Sequence, residues 1–257
     1  MLFRSPNQGR ATGNSAATTR TPGSDAQTAT APVADRPRSR YVVRFTLTER
    51  LLHWIHATAF FVLLGSGLTL YLPSLAGAVG RRPLVKDVHF WTGISWAGAL
   101  LLVTVLGNRR AVIATIREID LFDRDDGRFL TGRTNAPQGR FNAGQKVNAI
   151  FTAAFAILFF VSGLILWYGE RNTRFHLPGT VFLHDALTYI SIVIVLGHLY
   201  LALIHPTTRP ALRGITFGTV REEWAQQHHT KWATNGQAQP PTAALADEDP
   251  HKPILRR

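Results

Sequence analysis

Residues 182–205 read FLHDALTYISIVIVLGHLYLALIH, and this stretch decides the fold. Apart from its histidines it contains one ionisable acidic or basic residue, Asp185, close to its start. A helix of about 20 apolar residues crosses a hydrocarbon core about 30 Å thick. His184 and His198 are 14 residues apart. At about 100° and 1.5 Å per residue, they return nearly to one face at depths about 21 Å apart. The stretch therefore predicts a membrane-spanning helix that presents two imidazoles on one side.

Three further stretches have the same length and apolar character, at residues 51–72, 88–107 and 147–168. A soluble bundle with buried helices is the competing interpretation, but four such runs are too many for a soluble domain of this size. The sequence predicts an all-α, integral membrane four-helix bundle over residues 41–232. Residues 1–40 are rich in Thr, Ala, Ser, Pro and Gly and predict a disordered tail, and residues 233–257 predict a flexible tail.

The basic residues predict how the bundle is oriented in the membrane. Of the 28 Lys and Arg, 23 fall in the N-terminal segment, the 108–146 segment and the C-terminal segment, against 5 in the other two loops. Basic segments remain on the cytoplasmic side, so both termini and residues 108–146 are expected there. This distribution also accounts for the net charge of +12 without nucleic acid binding. Within 108–146, Val112, Ile116 and Ile119 fall at helical spacing and predict an amphipathic helix along the membrane surface.

Histidine is the residue type that stands out inside the predicted spans. The chain has no cysteine, which excludes thiolate sites and iron–sulfur clusters, so a metal would need histidine or carboxylate ligands. Ionisable groups inside a bilayer are costly and usually mark function. Six of the ten histidines lie in or at the ends of spans: His53, His56, His89, His184, His198 and His205.

The predicted orientation sorts these histidines into two levels. His89 and His184 lie near the outer ends of two spans, whereas His53, His56 and His198 lie near the inner side. Two bis-histidine sites stacked across the membrane follow from this arrangement, and haem held between facing bundle helices fits them. Depth estimated from the span ends slightly favours His56 over His53 as the partner of His198.

Metal-ion transport is the rival use of paired histidines. Transporters usually add carboxylates at the midplane and broken helices. In this chain Asp87 and Asp185 lie at the outer rim, and the midplane is apolar. Asp185 is therefore interpreted as a rim residue or as a hydrogen-bond partner of a ligand imidazole.

Several motifs around these histidines resemble one family. The chain is similar to the cytochrome b (gamma) subunit of membrane-bound respiratory formate dehydrogenases over about residues 40–232. The histidine skeleton alone is shared with hydrogenase and cytochrome b561-type proteins. The matching pieces are ERLLHW at 49–54, His89 followed by Gly93, FNAGQK at 141–146, the His184–His198 pair, Arg213-Gly214, Trp224-Ala225, His228-His229 and Trp232.

The resemblance implies an electron-transfer subunit in the bacterial inner membrane, with two haem b groups and a quinone (menaquinone or ubiquinone) as acceptor. Its implied partners are an iron–sulfur beta subunit and a molybdenum or tungsten catalytic alpha subunit, which would oxidise formate outside this chain. The implied haem ligands are His89 with His184 on the outer side and His53 with His198 on the inner side, with His56 as the alternative to His53. The resemblance also places Asn142 and Gln145 near the quinone, and helix capping is their other interpretation.

Two alternative functions remain at this stage. One is the equivalent subunit of a nickel–iron hydrogenase or another periplasmic oxidoreductase, with the same haem chemistry and a different donor. The other is a haem-free membrane anchor or metal transporter. The sequence assigns no role to His205, His228 or His229.

Overall fold

The computed structural model describes residues 40–175 and 177–241. The predicted disordered tail lies outside this range apart from Arg40, and so does the part of the predicted flexible tail beyond residue 241. Within the described residues, four helices are long and apolar enough to cross a membrane, so the predicted all-α membrane bundle is confirmed.

The elements follow one another in this order along the chain. The first half contains β1 (Tyr41–Val43), α1 (Leu47–Tyr71), α2 (Pro73–Val79), α3 (Arg82–Leu106), α4 (Arg109–Asp120) and α5 (Arg124–Leu130). The second half contains α6 (Ala143–Gly169), a 3-10 turn (Thr173–Phe175), α7 (Pro178–Leu199), a π-helical turn (Tyr200–Ile204) and a 3-10 turn (Arg209–Ala211). It ends with α8 (Leu212–Phe217), β2 (Thr219–Arg221), α9 (Glu222–His228) and α10 (Thr230–Thr234).

The four spanning helices are α1, α3, α6 and α7, the last continued by its π-helical turn to Ile204. Each begins four to six residues before the span predicted from hydropathy. The reason is that their first turns are built from capping residues rather than apolar ones. Thr46 with Glu49 and Asn142 with Gln145 form capping boxes at the starts of α1 and α6. Proline occupies the first turn of α3 and α7, where its missing N–H costs nothing.

Successive spanning helices run in opposite directions, which gives the bundle two distinct ends. We call the end where α1 begins and α3 ends the cap end. There the Asn108 backbone N–H donates to Thr48 Oγ1 at 2.9 Å. At the loop end, Lys86 Nζ near the start of α3 lies 2.6 Å from a carboxylate oxygen of Glu170 after α6. Helix α1 packs chiefly on α3, and α6 packs chiefly on α7.

A small hydrophobic core closes the cap end. Strands β1 and β2 pair antiparallel, with Val42 opposite Val220. These two valines are buried together with Trp224, Ala225 and Trp232. We refer to β1, β2, α9, α10 and this cluster as the cap. The tryptophans and the alanine of the matching segment 224–232 are therefore largely structural, since they form part of the core of the cap.

Gly218, directly before β2, allows the chain to approach residues 44–45, directly after β1. Its φ is 84°, in the left-handed region that favours glycine. Its carbonyl accepts from the backbone N–H groups of Arg44 and Phe45 at 2.8 and 3.1 Å. A Cβ at this position would lie 2.9 Å from the Phe45 carbonyl oxygen, so a side chain would push the strands apart.

Helices α4 and α5 lie in the segment that connects α3 and α6. The amphipathic helix predicted there is present as α4, and Ile113 and Ile116 on it are exposed. Helix α5 is joined to α6 by a buried ion pair, in which Lys146 Nζ lies 2.7 Å from Asp126 Oδ2 and also donates to the Leu121 carbonyl. Removing one partner of such a buried pair typically costs about 3–5 kcal/mol, because the other charge is then left buried without a partner.

Candidate metal centres

Two pairs of imidazoles face each other across the bundle. The ring centroids of His89 on α3 and His184 on α7 are 6.3 Å apart. Those of His53 on α1 and His198 on α7 are also 6.3 Å apart. Helix α7 thus contributes one ring to each pair, near the loop end and near the cap end respectively.

The observed helix bounds explain why His53 and not His56 meets His198. His53 lies six residues after the start of α1, and His198 lies six residues before Ile204, so both are about 9 Å from the cap end. His56 is one turn deeper. The depth estimate that favoured His56 was measured from the outer span ends and took residue 182 as the start of the fourth span, whereas α7 begins at Pro178.

His56 has a different partner. Its Nδ1 accepts a hydrogen bond from Trp96 Nε1 at 3.3 Å, and the two ring centroids are 5.7 Å apart. This contact joins α1 to α3, on the side of α1 that packs against its neighbour. His205 is also separate from both pairs, since it follows the π-helical turn and its Nδ1 lies 3.0 Å from Thr207 Oγ1.

The spacing within each pair fits one metal ion held between two imidazoles. A ligand nitrogen about 2 Å from the metal, with its ring centroid about 1 Å further back, puts two opposed centroids about 6 Å apart. Both pairs match this spacing. Within residues 40–175 and 177–241 no group of three or more His, Cys, Asp or Glu side chains could hold a metal ion. Each pair of opposed imidazoles would therefore suit the iron of one b-type haem.

Serine hydroxyls hold the two imidazoles of the loop-end pair. Ser66 Oγ lies 2.9 Å from His89 Nδ1, and Ser162 Oγ lies 2.8 Å from His184 Nδ1. Asp185, the hydrogen-bond partner considered from the sequence, does not take this position. Sequence analysis missed both serines, although each is a polar residue in an otherwise apolar run.

Two glycines lie against the same imidazoles. A Cβ on Gly67 would lie 3.3 Å from His89 Cε1, and one on Gly163 would lie 3.6 Å from His184 Cε1. Small residues at these positions therefore let the rings rest close to the backbones of α1 and α6. Gly65 and Gly197 have no heavy atom within 4 Å of such a Cβ, so the structure shows no comparable contact there.

The ERLLHW motif fixes the part of α1 that carries His53. Glu49 accepts from Arg140 Nη1 at 2.9 Å, and Arg50 Nη2 donates to the Thr216 carbonyl. Trp54 Nε1 donates to the Ile215 carbonyl at 3.2 Å. These contacts join α1 to the 108–146 segment and to α8, so they set the rotation of the helix around His53.

Asn142 and Gln145 form the capping box of α6. The Asn142 side-chain oxygen accepts from the Gln145 backbone N–H at 2.9 Å, and Gln145 Oε1 accepts from the Asn142 backbone N–H at 3.1 Å. Among the residues that the structure describes, neither side-chain NH₂ group makes a hydrogen bond. Both residues therefore stabilise the first turn of α6, and both still have an amide N–H available to donate a hydrogen bond.

A buried guanidinium lies beside this capping box. Arg44 is 2% exposed, and its Nη2 donates to the Arg140 carbonyl at 2.9 Å and to Gln145 Oε1 at 3.2 Å. Its Nε and Nη1 have no hydrogen-bond partner in the described chain, but the guanidinium lies 5.3 and 5.1 Å from the ring centroids of Phe45 and Trp224. Burial, and secondly the charge of Arg140, lowers the pKa of Arg44 to about 9, so it remains charged at neutral pH.

His229 completes this polar group and belongs to the cap. It is 1% exposed, its Nδ1 lies 2.6 Å from the Gly139 carbonyl, and its Nε2 lies 3.2 Å from Arg44 Nη2. Because arginine can only donate, Nε2 accepts and Nδ1 carries the proton. Burial and then the charge of Arg44 lower the pKa of His229 to about 3, so the ring is neutral.

Comparison with known proteins identifies relatives over most of the chain. The prokaryotic cytochrome b561 family matches residues 44–218. The formate dehydrogenase cytochrome b556(fdo) subunit of Escherichia coli K12 is 28% identical over 199 residues, which cover 74% of this chain and 91% of that protein. The nitrate-inducible cytochrome b556(Fdn) subunit of the same organism is 24% identical over 209 residues, 76% and 91% of the two chains. A formate dehydrogenase cytochrome b556 subunit of Haemophilus influenzae is 23% identical over 206 residues, 74% and 82% of the two chains.

The buried neutral His229 predicts a pH dependence of the cap. In the unfolded chain this histidine takes up a proton below its ordinary pKa of 6.5, whereas in the folded cap it does so only near 3. Stability is therefore complete above 6.5 and declines as the pH falls toward 3. Lowering the pH from about 7.5 to about 5 should cost the cap about 2 kcal/mol. Amide hydrogen exchange of residues 219–234, corrected for intrinsic rates, measures this change.

Two variants separate His229 from its neighbour. His229→Gln keeps a donor and an acceptor but cannot titrate, so it should flatten the pH dependence. His228→Gln removes only the neighbouring imidazole, so the stability of the cap should still depend on pH. An equally steep dependence in His229→Gln would show that another group is responsible.

Proposed function

This chain belongs to the prokaryotic cytochrome b561 family, and from that premise we propose that it is the cytochrome b subunit of a membrane-bound formate dehydrogenase. It holds two haem b groups and carries electrons from an iron–sulfur subunit on the periplasmic side to a quinone on the cytoplasmic side. The observation that carries this proposal is the pair of equally spaced imidazole sites, one near each end of the spanning helices.

Four histidines hold the two groups. His89 and His184 form the site at the loop end, and His53 and His198 form the site at the cap end. A haem b bound between two imidazoles supplies reversible one-electron oxidation and reduction. The chain has no cysteine for a thioether link, so the side chains hold each group without covalent attachment.

The direction of transfer follows from the charge distribution. Among the residues that the structure describes, the cap end carries 15 Lys and Arg and the other end carries 5. This difference supports a cytoplasmic position for the cap, and we place both termini on the same side of a bacterial inner membrane. The short loops at the other end then face the periplasm. The iron–sulfur beta subunit and the molybdenum or tungsten alpha subunit belong on that side, closest to His89 and His184.

Quinone is reduced at the cap end in this proposal. Asn142 and Gln145 use their side-chain oxygens for the capping box and retain amide N–H donors, which suit the carbonyl oxygens of menaquinone or ubiquinone. Because this end faces the cytoplasm, the protons taken up by the quinone come from there. Turnover therefore moves charge across the membrane.

The alternative functions receive less support. A hydrogenase subunit would have the same histidine pairs, but the similar proteins are named as formate dehydrogenase subunits. Formate and hydrogen, offered in turn as reductants to native membranes, distinguish the two donors. A metal transporter would need a cluster of metal-ligating side chains. Among the described residues, no three or more His, Cys, Asp or Glu side chains form a group that could hold a metal ion.

Removal of single histidines tests the ligand assignment. His53→Ala and His198→Ala should each remove the cap-end haem, because these two rings face each other. His56→Ala should retain two haems, because its ring contacts Trp96 instead. Haem extraction and quantitation for each purified variant measures the result. Loss of a haem in His56→Ala, with two haems retained in His53→Ala, would contradict the assignment.

Substitution of Asn142 tests the quinone site without confusing it with the helix cap. Asn142→Ala removes both the helix-capping oxygen and the amide donor, whereas Asn142→Asp keeps a capping oxygen, worth about 1 kcal/mol, and as a carboxylate has no donor. Both variants should bind two haems that formate reduces, and both should be reoxidised by quinone at least about tenfold more slowly, a loss of about 1.4 kcal/mol of binding or transition-state stabilisation. Stopped-flow reoxidation of the reduced complex measures this rate. Normal reoxidation in Asn142→Asp would remove Asn142 from the quinone site and leave it as a helix-capping residue.

A further inference from the structure

The two imidazole pairs differ in what holds their second ring nitrogen. At the loop end, both rings have a serine hydroxyl at Nδ1, at 2.9 Å for His89 and 2.8 Å for His184. At the cap end, His53 Nδ1 is buried and has no hydrogen-bond partner in the described residues. His198 makes no hydrogen bond through its ring within the same described part of the chain. Two chemically similar sites thus have different surroundings.

The serine hydroxyls accept from the imidazoles, because their own protons are used elsewhere. Ser66 Oγ lies 2.7 Å from the Val62 carbonyl oxygen, and Ser162 Oγ lies 3.2 Å from the Phe159 carbonyl oxygen. Carbonyl oxygens only accept, so each hydroxyl directs its single proton to its own helix. The imidazole Nδ1–H then donates to the serine oxygen, and Nε2 keeps the lone pair that a metal needs.

This arrangement has an electronic consequence for a bound iron. An imidazole whose N–H donates a hydrogen bond is a more basic ligand, and a more basic ligand stabilises the oxidised metal. The loop-end pair has this donation on both rings, and the described cap-end pair has it on neither. The serines also fix the rotation of the rings, since each connects an imidazole to the backbone of a neighbouring helix.

We propose that Ser66 and Ser162 are positioning residues that lower the reduction potential of the loop-end haem below that of the cap-end haem. The inference rests on the proposed haem ligation and extends it to the energy difference between the two sites. With the loop end facing the electron donor, the difference makes transfer toward the cap end downhill. The serines therefore make the step between the two haems downhill toward the cap end, whereas the donor and the quinone set the direction of the overall reaction.

A redox titration of the full-length chain, purified in detergent or within its complex, tests this proposal. Optical spectra recorded against applied potential give the two midpoint potentials, and the His198→Ala variant, which retains the loop-end site, assigns one of them. The lower midpoint in the unsubstituted chain should belong to the loop end. Ser66→Ala and Ser162→Ala should each raise that midpoint and leave the other unchanged. The double variant should raise it by at least about 59 mV, which corresponds to a tenfold change for a one-electron couple.

Matched variants separate tuning of the ligands from general damage. Ser66→Thr keeps a hydroxyl that can bond to the preceding turn, so its midpoint should return toward that of the unsubstituted chain. Ser191→Ala removes a buried serine of α7 that makes no hydrogen bond to any of the four imidazoles in the described chain, and it should shift neither midpoint. If Ser66→Ala loses its haem, retention of that haem in Ser66→Thr supports the positioning role.

Three results overturn the inference. One is a lower midpoint at the cap end of the unsubstituted chain. Another is a pair of midpoints that stays unchanged in both serine-to-alanine variants, although two haems are bound. A chain that binds no haem at all would instead overturn the proposed function, and this inference with it, so the two failures are distinguishable.

Discussion

The spacing of 14 residues between His184 and His198 is the constraint on which the rest of the bundle depends. It places two imidazoles on nearly the same face of one helix, about 21 Å apart. Each ring requires a partner at its own depth, and the two partners come from two different helices. Helix α3 supplies His89 at the loop end, and α1 supplies His53 at the cap end. Because α1 and α3 pack on each other, the two pairings connect one helix pair to the other at two levels.

The cap determines the depth at which these partners lie. Helix α1 begins directly after β1, and its first turn is held by contacts of Glu49 and Arg50 to other segments. Helix α6 begins at Asn142, whose capping partner Gln145 also accepts from the buried Arg44. A buried charge with few hydrogen bonds is costly. Here two aromatic rings lie over the Arg44 guanidinium, and one carbonyl oxygen, one amide oxygen and the His229 Nε2 accept from its Nη2. The same group of side chains thus sets the level of His53 and the position of the candidate quinone residues.

The sequence predicted the parts of this fold that depend on long-range regularities. Apolar length gave the four spans, and histidine spacing gave two levels of paired rings. The span starts were predicted too late, because capping boxes and first-turn prolines are polar or neutral in hydropathy. Strands of three residues, paired across most of the chain, leave no periodic signal, so the sheet of the cap was not predicted. The serines were missed for a different reason, since a hydroxyl's partner depends on which way two helices face each other. Motif resemblance and the structure agree on His53 opposite His198, whereas depth estimated from hydropathy did not.

A reduced-minus-oxidised optical spectrum of the purified chain shows whether the two imidazole pairs hold haem. We expect the spectrum of a b-type cytochrome, and quantitation of extracted haem should give two non-covalent haems per chain. One haem per chain would contradict the assignment of one pair. A chain without any haem absorption would show that neither imidazole pair binds haem.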